Sequence, residues 1–168
     1  GVAIGQESVR VVAVRWNRVE WAAETAIADP AAITEAVRNL LSKAPRRRMR
    51  RVPVVLAVGP AASQVRVVAG LPPIDDPSVI SRMIRQGAHR FFLWKDVPLE
   101  TSEVQIIEPG RVWAAAFDQP VVTAALAGCR AARYRVSGIV PSLAVLDSAL
   151  HGERITWIDG SISAEIEH

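Results

Sequence analysis

Hydrophobic and polar residues alternate in blocks along the first 27 positions of the chain. Three apolar runs are separated by two polar turns, at residues 6–8 and at Asn17-Arg18. The middle run, residues 9–14, is rich in β-branched side chains, which favour strands. Gly5 and Asn17 stand where a reversing chain needs unusual backbone angles. The pattern predicts three consecutive strands joined as hairpins.

Four later segments place apolar residues at helical spacing after a polar or proline start. Proline suits the first position of a helix because the N–H that it lacks has no partner there. The third segment is rich in alanine, so we expect this helix to pack closely against its neighbours. The four predicted helices begin at Asp29-Pro30, Asp76-Pro77, Gln119-Pro120 and Pro141-Ser142.

The other apolar runs predict strands. Residues 52–59 form a nearly continuous apolar run, which is typical of a strand covered on both faces, so we expect this strand to be central. Pro109-Gly110 separates two runs and predicts a hairpin. The remaining predicted strands cover residues 64–71, 103–107, 111–117, 135–140, 154–158 and 161–166.

Residues 91–98 are predicted as a loop, although they include the apolar cluster Phe91-Phe92-Leu93-Trp94. Such a cluster either packs on the core or forms a contact surface for another molecule. Core packing is the favoured interpretation. Phe91, Phe92 and Trp94 are retained as candidate partner-binding residues.

Composition limits the classes of protein to consider. Half of the 168 residues are hydrophobic, enough for one compact domain or two small subdomains. The formal net charge of +3 is small for a general nucleic-acid binder. A single cysteine, Cys129, excludes an internal disulfide. No apolar run approaches the roughly 18 residues of a membrane-spanning helix, and no secretion signal precedes the first strand, so we expect a soluble chain.

Five arginines fall within residues 45–51. Side chains of like charge repel one another and stay solvated, so the segment is predicted to be an exposed loop. An acidic partner or membrane headgroups are the alternatives for what it binds. Nucleic acid is disfavoured because no aromatic residue interleaves the arginines to stack on bases. The five are Arg46, Arg47, Arg48, Arg50 and Arg51.

The sequence shows no arrangement typical of catalysis. The three histidines lie far apart and lack Cys or carboxylates at ligand spacing, so no metal site is predicted. Neither a Gly-x-Ser-x-Gly elbow nor a Walker phosphate loop is present. Asp75 and Asp76 read as a helix cap. The turn at Gly5 is a candidate phosphate-binding edge and Asp159 a candidate site carboxylate, although plain turns explain both residues as well.

Several short stretches resemble the amino-terminal half of an actin-like ATPase. More closely, they resemble the type IV pilus assembly protein PilM and the cytoplasmic domain of the type II secretion platform protein GspL. The resemblance implies an α/β fold with a ribonuclease H-like mixed sheet and a small inserted α+β subdomain. It places the first large subdomain at residues 1–60 and 134–168 and the insert at residues 61–133. The resembling stretches are residues 2–12, 54–59, 64–68, Leu71-Pro72, residues 138–146 and residues 157–160.

The same resemblance implies two phosphate loops, at Gly5-Gln6 and at Asp159-Gly160. Nucleotide-using members carry an aspartate in the first strand that helps to hold hydrated magnesium, and this chain has Ala3 there. Mg²⁺ usually binds through one or two carboxylates plus phosphate. Asp159 also stands one place out of register, and the given sequence stops where a second lobe would begin. We therefore expect vestigial phosphate loops, no catalysis, no metal and no cofactor, with ATP and magnesium as the alternative.

The resemblance thus implies a non-catalytic cytoplasmic scaffold of a bacterial type IV pilus or type II secretion machine, peripherally associated with the inner membrane. Its expected partner is the cytoplasmic tail of a bitopic inner-membrane protein, with an assembly ATPase and sister subunits as further candidates and no nucleic acid. The alternative is the first lobe of an ATP-binding kinase or ATPase of the same superfamily. A ribonuclease H-like nuclease would need three or four converging carboxylates, and Ala3 replaces the first of them.

Overall fold

The structure is a computed structural model that describes residues 1–15, 18–45, 53–93, 97–101, 104–142, 154–158 and 161–165. Its strands are β1 (Val2–Ile4), β2 (Ser8–Arg15), β3 (Arg18–Ala26), β4 (Val54–Val58), β5 (Ser63–Ala69), β6 (Leu99–Thr101), β7 (Gln105–Glu108), β8 (Arg111–Asp118), β9 (Val136–Pro141), β10 (Arg154–Ile158) and β11 (Ser161–Glu165). Its helices are α1 (Ile33–Lys43), α2 (Pro77–Gln86), α3 (Ala88–Phe91) and α4 (Gln119–Ala131).

The main sheet has five strands in the order β3-β2-β1-β4-β9. The first three strands form the predicted pair of hairpins, with a register shift between Ala13 and Val14. Strands β4 and β9 run parallel to β1. The resulting fold is mixed α/β, as predicted, and β4 is an interior strand that lies between β1 and the edge strand β9.

One face of the main sheet is buried under α1 and α4. Val54, Leu56 and Val58 of β4 point into this first hydrophobic cluster, together with Val2 and Ile4 of β1. The opposite face of β4 is less covered than its apolar sequence predicted, because Val55 is 41% exposed. The continuous apolar run of β4 therefore reflects its interior position in the sheet more than burial on both faces.

The first helical segment begins with a capping residue, as the sequence predicted. The Asp29 carboxylate accepts a hydrogen bond from the Ala32 N–H, closing a short 3-10 turn that leads into α1. Helix α1 then buries Val37 and Leu41 against the sheet. Its other neighbour is α4, which buries Cys129, and this burial raises the pKa of the Cys129 thiol to about 11.

The second sheet is smaller and antiparallel. Strand β8 pairs with β5 along one edge and with β6 and then β7 along the other. The β7–β8 hairpin was predicted, whereas β6 lies between the predicted loop at residues 91–98 and the predicted strand at residues 103–107 and was missed. Helix α2 covers one face of this sheet, and the Asp76 carboxylate caps it by accepting from the Ser78 N–H.

A second hydrophobic cluster lies between α2 and the small sheet. Ile80 and Ile84 of α2 pack there with Val112 of β8. Residues of α4 belong to the first cluster, beside the main sheet. The predicted subdomain boundaries near residues 60 and 134 stay a prediction.

Strands β10 and β11 form a separate two-stranded antiparallel sheet. Both strands and their pairing were predicted. The turn at residues 159–160 and the predicted helix over residues 143–150 lie outside the described residues.

Candidate functional site

Three parallel strands end together at one edge of the main sheet. Ile4 of β1 pairs with Val58 of β4, and Val58 pairs with Pro141 of β9. Ligands of open α/β sheets bind outside the carboxyl ends of such strands. The predicted phosphate-binding residues Gly5 and Gln6 follow β1 directly and so lie at this edge.

The backbone at this edge is tightly packed. Gly5 N–H donates to the Ser8 carbonyl at 2.8 Å, and Gly59 N–H donates to the Ile4 carbonyl at 2.8 Å. A Cβ on Gly59 would stand 2.9 Å from the Ile4 carbonyl oxygen, so only glycine lets the β1 and β4 ends approach this closely. The amides of Gly5 and Gly59 are therefore already bonded within the protein.

Side chains near the same hairpin are also engaged with each other. The Ser8 hydroxyl donates to Glu24 at 2.6 Å, and Arg10 Nη2 donates to the same carboxylate at 2.6 Å. The hydrogen bond from Ser8, followed by that from Arg10, lowers the pKa of the Glu24 carboxyl. The stabilising contribution of a group with a lowered pKa is present at neutral pH and is lost as the pH falls through that pKa. This contribution is small because the pair is exposed to solvent.

Ala3 occupies the position where the sequence resemblance expects a magnesium-binding aspartate. In the sheet it lies between Arg10 of β2 and Ala57 of β4. Neither neighbour is an acid that could replace the missing carboxylate. Within the part of the chain that the structure describes, no group of three or more His, Cys, Asp and Glu residues is placed to hold a metal ion.

The predicted aromatic cluster divides between interior and surface. Phe92 is 4% exposed and belongs to the second hydrophobic cluster, with Phe91 partly buried beside it. Phe91 ends helix α3 and does not belong to a loop, so this part of the prediction was wrong. Leu93 is 61% exposed. The favoured core packing is confirmed for Phe92, and the role of these residues in partner binding stays a prediction.

Other predicted site residues lie outside the described residues. They are Arg46, Arg47, Arg48, Arg50, Arg51, Trp94, Asp159 and Gly160.

An exposed apolar pair on the small sheet was not singled out from the sequence. Trp113 of β8 is 46% exposed, and Val67, directly opposite on β5, is 40% exposed. Further along the same face of β8, Ala115 and Phe117 are buried in the first cluster. Successive side chains of a strand point to opposite faces, so residues 112–117 would have shown which residues share a face with Trp113. Because the whole run is apolar, it would not have shown which of the two faces is exposed to solvent.

No family model and no curated protein matches the sequence. Solved structures share its fold, and two of them are components of bacterial envelope machines that build pili or secrete proteins. One is a chain of the PilM-PilN type IV pilus biogenesis complex, which aligns with a TM-score of 0.61 and 23% identity over 92% of this chain and 52% of that chain. The other is the cytoplasmic domain of EpsL, an inner membrane component of the type II secretion system of Vibrio cholerae. It aligns with a TM-score of 0.55 and 17% identity over 83% of this chain and 55% of that chain.

These similarities confirm, for the fold, the predicted resemblance to the PilM and GspL proteins. The chain spans about half the length of the two solved structures that it matches. No helix among the described residues has both the length and the apolar character needed to cross a membrane.

Proposed function

We propose that this chain is part of a non-catalytic scaffold of a bacterial type IV pilus or type II secretion machine, held at the cytoplasmic side of the inner membrane. The observation that carries the proposal is the fold match over 92% of the chain to the PilM-PilN complex. That structure is a complex, so the similarity in fold supports a role in which this chain binds a protein partner. The proposed partner is the cytoplasmic tail of a bitopic membrane protein.

The strand arrangement supports the more detailed part of the fold prediction. The main sheet has the strand order β3-β2-β1-β4-β9, and β2 is antiparallel to the other four strands. We assign this sheet to the ribonuclease H type on that basis. Ala3 in its first strand and the bonded amides of Gly5 and Gly59 support a scaffold in preference to a nucleotide-hydrolysing enzyme.

The exposed pair Val67 and Trp113 is the proposed docking surface for the tail. Tryptophan is enriched among the residues that dominate binding energy at protein interfaces. Strand β9 of the main sheet lies against β5 and β8. The pair stands on the face of the small sheet that Ala115 and Phe117 share, toward the end of β8 that is further from Phe117. An extended peptide with apolar side chains at alternate positions would place several of them on such a surface.

We expect a fluorescent peptide from the cytoplasmic tail of a PilN protein to bind this chain, and Trp113→Ala to weaken binding by roughly tenfold or more, because a central aromatic anchor is lost. Fluorescence anisotropy at constant salt measures both affinities. The matched control is Val19→Ala, which removes another exposed apolar side chain, in β3 of the main sheet.

An unchanged affinity in Trp113→Ala would move the docking surface elsewhere on the chain. A loss of equal size in Val19→Ala would show that the binding is not specific to the small sheet. The absence of binding to tails from both the pilus and the secretion systems would contradict the scaffold proposal itself.

The enzyme alternative makes a different prediction for Mg-ATP. A ligand at one hundred times its dissociation constant stabilises a protein by about 2.7 kcal/mol, which is a clear rise in melting temperature. We expect no rise with Mg-ATP, because the first strand lacks its acid at Ala3. Differential scanning fluorimetry over a range of Mg-ATP concentrations tests this, and a saturable rise absent with Mg²⁺ alone would favour the enzyme.

A further inference from the structure

A run of positive charge lies on the outer side of α2 and α3. Residues 77–93 contain Arg82, Arg85 and Arg90 but no aspartate or glutamate, and all three side chains are exposed. Asp75 and Asp76 directly precede this stretch, and the Asp76 carboxylate interacts electrostatically with Arg82. Helix α2 buries Ile80 and Ile84 against the small sheet, and Arg82 projects from the opposite side of the helix. The apolar side of α2 is therefore used by the core, while its basic side faces solvent.

Leu93 is held at the end of this run by an unusual contact. The Gln64 side-chain amide donates to the Leu93 carbonyl at 2.8 Å and accepts from the Leu93 N–H at 2.8 Å. The two bonds imitate a pair of strand hydrogen bonds and fix the Leu93 backbone beside β5. The Leu93 side chain is left 61% exposed, and Arg66, two residues from Gln64 on the same face of β5, is exposed as well.

We propose that Arg66, Arg82, Arg90 and Leu93, here called the basic face, contact an anionic lipid surface. The cationic side chains would meet phospholipid headgroups while Leu93 enters the interface between headgroups and acyl chains. A fixed apolar side chain among cations suits a bilayer better than an acidic protein, because a bilayer offers negative charge and apolar depth together. The inference rests on the proposed function only for the identity of the membrane, which is the inner membrane.

A weak lipid contact gains importance when a second attachment is present. A tail anchored in the same bilayer would keep the basic face near the headgroups, where a high effective concentration makes even weak binding count. The basic face would then orient the scaffold relative to the membrane, and the tail would supply the anchor.

Vesicle sedimentation with the whole 168-residue chain tests the proposal without any partner. We expect binding to phosphatidylcholine vesicles containing phosphatidylglycerol, weak or no binding to phosphatidylcholine alone, and weakening by added salt. The triple variant Arg66→Gln, Arg82→Gln, Arg90→Gln should reduce partitioning on the order of 100-fold, because each arginine near an anionic surface is worth about fivefold. Leu93→Ser should reduce it by roughly tenfold through lost apolar burial.

The matched control is the triple variant Arg38→Gln, Arg130→Gln, Arg135→Gln, which changes the net charge equally and uses exposed arginines outside the basic face. Retained binding in this control together with loss in the basic-face variant supports the proposal. Equal loss in both variants, equal binding to both lipid compositions, or no binding would overturn it. Tail-peptide anisotropy on the same preparations reports the proposed function separately, so the two ideas fail independently.

Discussion

Gly128→Ala should lower the free energy of unfolding by about 2–3 kcal/mol, although alanine is the better helix former. At an open helical position the same substitution would stabilise by up to about 1 kcal/mol. Gly128 lies in α4 where this helix crosses α1. A Cβ there would stand 2.6 Å from the Thr34 carbonyl oxygen and 2.8 Å from the Val37 Cβ.

Neither of those atoms can easily move aside. Thr34 is fixed because its hydroxyl donates to the Ala124 carbonyl of α4 at 3.0 Å, and Val37 is fully buried. The two helices must therefore separate, and both would lose contact with the main sheet. Urea denaturation followed by circular dichroism measures the change in midpoint at constant slope.

Ala127→Gly is the control for Gly128→Ala. It changes the neighbouring exposed position and should cost no more than about 1 kcal/mol, through helix propensity alone. A stabilised Gly128→Ala variant would mean that the helices are not in close contact at this point.

The sequence predicted that α4 packs closely against a neighbouring element, but it did not identify that element. The alanine-rich composition of residues 119–131 predicted close packing correctly, because small side chains let backbones meet. Gly128 and Thr34 are in contact although they lie far apart in the chain, and no local sequence pattern identifies such a pair.

The same contrast separates the strands that were predicted from those that were missed. The hairpins of β1–β3 and β7–β8 follow from β-branched runs and turn residues close in sequence. Strand β6 has only three residues, Leu99–Thr101, too few to show a period, and it exists because β8 offers it an edge. Pairing with another strand in the folded chain, and not a local sequence pattern, determines whether such a strand forms.

The candidate site was foreseen only in part for a related physical reason. Gly5 was identified because a glycine after a short strand is visible locally, and it does lie at the shared edge of the parallel strands. The contact between Gln64 and Leu93 joins residues that are 29 positions apart and left no sequence signal. The exposure of Trp113 depends on where the small sheet ends relative to the main sheet, which requires the assembled fold.

Phe117→Ala should be the most destabilising single substitution of those considered, with an expected loss of about 3–5 kcal/mol. Phe117 is 1% exposed and is among the largest side chains that the structure buries completely. Replacing it by alanine leaves a cavity in the first hydrophobic cluster, which stabilises the main sheet, α1 and α4 together. Small domains have about 5–15 kcal/mol of total stability, so this loss is a large fraction of it.

The position of Phe117 explains why its loss should affect both sheets. Phe117 points into the first cluster from β8, while its neighbour Ala116 points into the second. Strand β8 therefore joins the two cores, and a cavity at Phe117 weakens the joint as well as the main core. We expect both sheets to unfold in one transition in the variant, at a lower urea concentration than in the parent chain.

Trp113→Ala provides the comparison that makes the Phe117 prediction specific. Trp113 lies on the same face of β8 but is 46% exposed, so its removal should cost about 1 kcal/mol or less. Equal losses in the two variants would contradict the assignment of Trp113 to an open surface. A small loss in Trp113→Ala would in turn show that any weaker binding of the tail peptide comes from the missing contact and not from unfolding, since most of the chain would remain folded.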